Sequence, residues 1–122
     1  MRRISGITAA LLLSSIVSAA DLERGLTSHF SNWLNNNGYG SLNFERSDFS
    51  YNQGAYGGFS ADGETFTHTP IVFIHGNSDI AVGMTGEFTG WTESIKYFLS
   101  KGYTKGELYA TTWGPGDSSL AP

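Results

Sequence analysis

The 122-residue chain contains no cysteine, so no disulfide framework offsets a small core. It has no Asn-x-Ser/Thr sequon, and N-glycosylation is not expected. Positive charge is scarce. Seven Lys and Arg face eleven Asp and Glu, a formal net charge of −4, which argues against nucleic acid or an anionic membrane as partner. Beyond the first twenty residues no run is apolar enough to span a bilayer, so no transmembrane segment is expected. Prolines number only three, against sixteen glycines and 14% aromatic residues. Hydrophobic content of 39% lies in the globular range and argues against wholesale disorder. These proportions predict one small, loop-rich domain whose stability comes from packing alone.

Residues 1–20 read as a signal peptide. Arg2 and Arg3 form a positive n-region, Ile4–Val17 an apolar h-region, and Ser18-Ala19-Ala20 supplies the small residues that signal peptidase requires. The mature, extracellular chain is expected to begin at Asp21. Residues 21–122 are then expected to be the N-terminal portion of a single domain.

Leu22, Leu26, Phe30, Trp33 and Leu34 recur at helical spacing, which predicts a helix over Asp21–Leu34 ended by Asn35-Asn36-Asn37-Gly38. Asp21 and Glu23 would sit at the positive end of its dipole. His29 is expected to be a half-buried helix-face residue. Alternation at Leu42–Glu45 and at Glu64–Thr67 predicts two short strands, with glycine-rich turns between them, in a hairpin-like region. Its aromatics are accompanied by a single cation, Arg46, so they read as packing residues and not as a base-stacking platform.

Ile71-Val72-Phe73-Ile74 is a continuous β-branched and aromatic run, the pattern of a parallel strand buried on both faces. A polar, glycine-containing loop follows His75-Gly76. Trp91, Ile95, Phe98 and Leu99 then predict a helix over Trp91–Lys101, capped by Gly102. Leu108–Trp113 is the next strand, closed by Gly114-Pro115-Gly116-Asp117. Strand, helix and strand make a βαβ unit.

A strand ending in His-Gly, then a loop and a helix, has a mechanical meaning in ester hydrolysis. Negative charge develops on the carbonyl oxygen, and a rigid backbone N–H at the strand end is one of the donors that stabilise it. Pro70-Ile71-Val72-Phe73-Ile74-His75-Gly76-Asn77 resembles the strand and oxyanion loop of the class 2 lipases, which include nematode secreted lipases and minimal bacterial lipases. Trp91–Leu99 resembles the helix that follows, and Gly102–Ala110 the approach to the next strand. The resemblance implies an α/β fold, a partial α/β-hydrolase acting on carboxylic esters of lipids without a metal or organic cofactor. It places the oxyanion N–H on Asn77, with His75 and Gly76 shaping the turn and His75 not serving as the triad base.

The family's nucleophile elbow, G-x-S-x-G, does not occur here. Gly76-Asn77-Ser78-Asp79-Ile80 carries Ile80 where the elbow needs a small residue, which argues against Ser78 as nucleophile. The histidines, His29, His68 and His75, all precede any position the elbow could take, so the order serine, acid, histidine is not met. His68 and His75, seven residues apart about a strand, point to opposite faces, and no shared metal is expected. The nucleophile, acid and base are therefore expected beyond Pro122, and the chain alone is expected to be inactive. A secreted, non-catalytic binding or regulatory module with a lipase-like start is the alternative. The resemblance also implies that Ile71–Ile74 pairs on one side with Leu108–Trp113 and on the other with the elbow strand. Without that strand, an apolar edge is left free to pair with another chain.

Overall fold

A computed structural model describes residues 21–83, 89–117 and 119; the proposed leader lies outside them. The described elements are β1 (Gly25–Leu26), α1 (Ser28–Asn36), β2 (Ala55–Gly57), β3 (Ile71–Phe73), α2 (Thr92–Ser100) and β4 (Leu108–Thr111). The four strands form one mixed sheet in the order β1-β2-β4-β3. β3 runs parallel to β4, with Ile71 opposite Leu108 and Phe73 opposite Ala110. β2 runs antiparallel to β4, and β1 parallel to β2. The α/β class and the parallel β3–α2–β4 unit read from the sequence are therefore present.

That unit forms where periodicity placed it. Ile95 is fully buried, and Trp91, Phe98 and Leu99 pack on the core from the same helical face. Phe73 meets Trp91 and Phe98 at ring-centroid distances of 5.4 and 5.9 Å, so α2 lies on the face of the sheet that Phe73 shares with Leu108 and Ala110. Gly102 ends the helix with φ +94°, a left-handed conformation that a side chain would strain.

β3 departs from expectation on its other face. Val72 is 69% exposed and Ile74 72%, so the strand is buried on one face only. An unbroken apolar run cannot report which of its alternate residues finds a cover. Here α2 covers one face, and among the described residues nothing closes over Val72 and Ile74. On that side α1 reaches the sheet nearer β4, where Phe30 packs edge-on against Tyr109. An apolar groove of about 210 Å³ runs between Phe30, Leu34, Phe44, Tyr109 and Val72.

The first helix begins at Ser28 and not at Asp21. Gly25, with φ +89°, starts the short strand β1, and Thr27 then caps α1, its side chain accepting the Phe30 N–H at 3.2 Å. Leu22 is drawn into the core, and Asp21 pairs with Arg24 at 3.1 Å and not with a helix dipole. The helix ends as expected, at Asn37 and Gly38.

The predicted hairpin is absent. Gly40–Leu42 is a 3-10 turn, and Asn43 takes a left-handed φ of +47°, which breaks the alternation of Leu42–Glu45. Glu64–Thr67 is loop. The strand of this region is Ala55-Tyr56-Gly57, where local β propensity is weak. Its glycine is required by proximity: a Cβ on Gly57 would overlap the Leu108 carbonyl.

Candidate functional site

Strand alternation turns His75 to the same side as Phe73, and only 4% of it is exposed. Its Nε2 accepts the backbone N–H of Trp113 at 3.0 Å. An accepting Nε2 makes the ring the neutral tautomer with the proton on Nδ1, which donates to the Gly76 carbonyl at 2.7 Å. Trp113 Nε1 donates back to the His75 carbonyl at 2.8 Å, and the two rings stack 11° from parallel. These bonds join β3 and β4 past the residues where their ladder stops. His75 is thus a clamp at the carboxyl ends of two parallel strands.

The chain turns immediately afterwards. Gly76 and Asn77 are exposed, Ser78 has φ +68°, and the Asp79 N–H reaches the Gly76 carbonyl at 3.4 Å. Asp79 Oδ1 accepts the Ile80 N–H at 2.8 Å, a local bond that tightens the turn. The Asn77 N–H makes no hydrogen bond to a described residue. A Cβ on Gly76 would meet no described atom within 4 Å, so packing inside the chain does not demand glycine there.

The loop then becomes core. Ile80, Ala81 and Val82 are all buried, although the sequence reading took this stretch as polar loop. The Ala81 N–H donates to Thr112 Oγ1 at 2.8 Å, the Trp91 N–H to the Ala81 carbonyl at 2.8 Å, and the Val82 N–H to the Gln53 carbonyl at 3.2 Å. The signal was present in the apolar triad Ile80-Ala81-Val82. Thr112 in turn donates its N–H to Gly54 at 2.7 Å, which binds the end of β4 to the glycine-rich region.

Arg46 completes that attachment. Its Nη1 donates to the carbonyls of Thr112 and Gly114 at 2.6 and 2.8 Å, while Nε and Nη2 grip Asp48 at 2.9 and 2.7 Å. The Arg46 hydrogen bonds hold the Asp48 carboxyl down at about 2. The guanidinium lies 4.6 Å from the Phe49 ring centre. The only cation of the aromatic segment is therefore a latch onto the strand end that carries the His75 partner. Its sequence signal was its isolation, with Asp48 two residues on.

The other histidines lie elsewhere. His29 sits half-buried on α1, 3.1 Å from Asp62, as expected of a helix-face residue. His68, before the start of β3, stacks on Tyr103 and meets Glu107 Oε2 at 3.0 Å. Glu107 is fully buried and also accepts the N–H groups of Thr67, His68 and Thr104 at 2.6, 2.8 and 2.9 Å. Burial pushes its carboxyl up, but these bonds outweigh burial and hold it at about 2. Sequence reasoning missed this residue altogether; the clasp joins positions some forty residues apart. No group of three or more potential metal ligands occurs among the described residues. Both ring nitrogens of His75 are engaged by the backbone, so His75 offers Ser78 no base.

The family model for lipase (class 2) matches residues 68–121. No curated protein and no solved structure matches the chain. The matched stretch holds β3, the His75-Gly76-Asn77 turn, α2 and β4, while α1 and the glycine-aromatic region precede it. Over residues 68–121, the chain is thus similar to the class 2 lipases.

Proposed function

We propose that this chain supplies the oxyanion side of a secreted carboxylic ester hydrolase acting on lipids. The observation that carries the reading is the exposed Asn77 at the carboxyl end of β3, its N–H unclaimed by any described residue, on a turn clamped by His75 and Trp113. When a serine adds to an ester carbonyl, the oxygen becomes an anion, and a fixed N–H stabilises it without reorganising. Loss of one such donor costs about 3 kcal/mol of transition-state stabilisation. The 122 residues contain no G-x-S-x-G, and we assign the nucleophile, acid and base to residues outside this sequence. The chain by itself is then a fragment that does not turn over esters.

The test separates backbone from side chain. In a protein that joins this segment to a G-x-S-x-G region, Asn77→Ala leaves kcat for a p-nitrophenyl ester close to its starting value. Asn77→Pro, which removes the N–H, lowers it about 100-fold or more. A loss of that size in Asn77→Ala, with the fold intact, rules out the main-chain role. On the 122-residue chain, ester turnover abolished by Ser78→Ala overturns the fragment reading. Export is tested by amino-terminal sequencing of secreted material, with Asp21 expected first.

A further inference from the structure

A second polar site lies on α1, far in sequence from the His75 turn. His29, Asn32, Trp33 and Asn36 follow one another at helical spacing and share a face. With Asn37 and Asp62 they line a cavity of about 290 Å³. Trp33 is 39% exposed although its ring is held on several sides: Phe30 and Tyr39 lie nearly parallel to it, and Phe59 meets it edge-on. Tyr39, next in the stack, is 44% exposed. An aromatic ring that is fixed before binding loses little conformational freedom on contact.

The polar groups around it are exposed or half-exposed and are largely uncommitted. The Asn32 and Asn36 amides are exposed and make no hydrogen bond to a described residue. Asn37 spends its amide N–H on the Trp33 carbonyl at 2.8 Å, which leaves its Oδ1. Asp62 gives one oxygen to His29 at 3.1 Å and remains 91% exposed, so its second oxygen is open.

We propose that this face of α1 binds a neutral oligosaccharide built of pyranose rings. A pyranose presents C–H groups on one face, which suit the electron-rich π surface of Trp33 where it is exposed, and hydroxyls on its rim. Each hydroxyl both donates and accepts, and side-chain amides and a carboxylate satisfy such groups with directional bonds. A fatty acyl chain would leave the amides desolvated without partners, at a cost. An anionic ligand would meet Asp62 on a chain of net charge −4. The site is independent of the ester-hydrolase reading, and either stands without the other.

The full chain is titrated on a neutral-glycan array that spans hexose, N-acetylhexosamine and pentose linkages, and hits are measured by isothermal calorimetry. Trp33→Ala is expected to weaken binding about tenfold. Asn36→Ala, an exposed helical position where alanine favours the helix, is expected to weaken it about fivefold while leaving the far-ultraviolet dichroism unchanged. It keeps the test decisive if Trp33→Ala disturbs the aromatic stack. No binding on the array, binding undiminished in Asn36→Ala, or preference for a sulfated heparin hexasaccharide overturns the proposal.

Discussion

The two stretches of this chain, 21–67 and 68–119, relate to their sequences in opposite ways. In the second, β3, α2 and β4 fall within one to two residues of where periodicity placed them, and the parallel pairing follows. In the first, the helix starts late, the predicted hairpin is missing, and Ala55–Gly57 forms a strand that no local pattern announced. α1 contains no buried residue, whereas α2 buries Thr92 and Ile95. Four non-glycine residues in the first stretch, Asn43, Arg46, Tyr51 and Asn52, have positive φ, and among the described residues of the second Ser78 is the one that does. Periodic packing determines the second stretch. Individual bonds to distant carbonyls and carboxylates determine the first.

Truncating the two stretches tests this contrast most strongly. Leu108 is fully buried, and Leu108→Ala should cost about 2–5 kcal/mol in urea denaturation. Leu34, half-buried on α1, should cost markedly less when changed to alanine. Equal losses would show that α1 belongs to the same cooperative core.

Glu107 is where the two stretches meet. Glu107→Gln should lower the thermal midpoint at neutral pH, because a carboxylate accepting several N–H groups becomes an amide that also donates. The sign with pH follows from a folded-state pKa held at about 2, below the ordinary value of 4.5. The contribution is complete above about 4.5 and is lost as pH falls through about 2. Thermal melts across that window should show the wild type losing stability more steeply than Glu107→Gln. Asp48, also held at about 2, adds to the slope in both. Identical slopes would remove Glu107 from the acid response.

Capping is a smaller effect. Thr27 Oγ1 accepts the Phe30 N–H and donates to the Phe59 carbonyl at 2.6 Å, so Thr27→Ala should cost about 1 kcal/mol. A neutral result would mean α1 is frayed from the sheet.

The smallest change in folding stability, within about 0.5 kcal/mol, is expected for Val72→Lys on the exposed side of β3. Its effect should appear in association. β3 stands at the end of the described sheet with no lysine or proline within it, and we propose that the 122-residue chain self-associates along this edge. Size exclusion should show an assembly larger than a monomer for the wild type and a monomer for Val72→Lys. A monomeric wild type would defeat the proposal.

Of the site, the strand, the sharp turn and the following helix were legible, since each has a local signature: a β-branched run, a glycine after it, and apolar residues at helical spacing. What held the site was not legible. The Nδ1 and Nε2 partners of His75, the Thr112 hydroxyl beneath Ala81, and the Arg46 bonds to Thr112 and Gly114 join residues far apart in the chain. A single sequence carries no trace of such pairings.

Residue order by itself determined α2, its glycine stop, the β3 and β4 runs and their parallel connection, because side-chain periodicity and turn chemistry act within a few neighbours. Tertiary structure decided which face of β3 is covered, that Ala55–Gly57 is a strand, and that His75 is a clamp with neither nitrogen free. Each of these depends on where a second, distant segment supplies a carbonyl, an N–H or an apolar surface, and that is settled only when the chain has closed on itself.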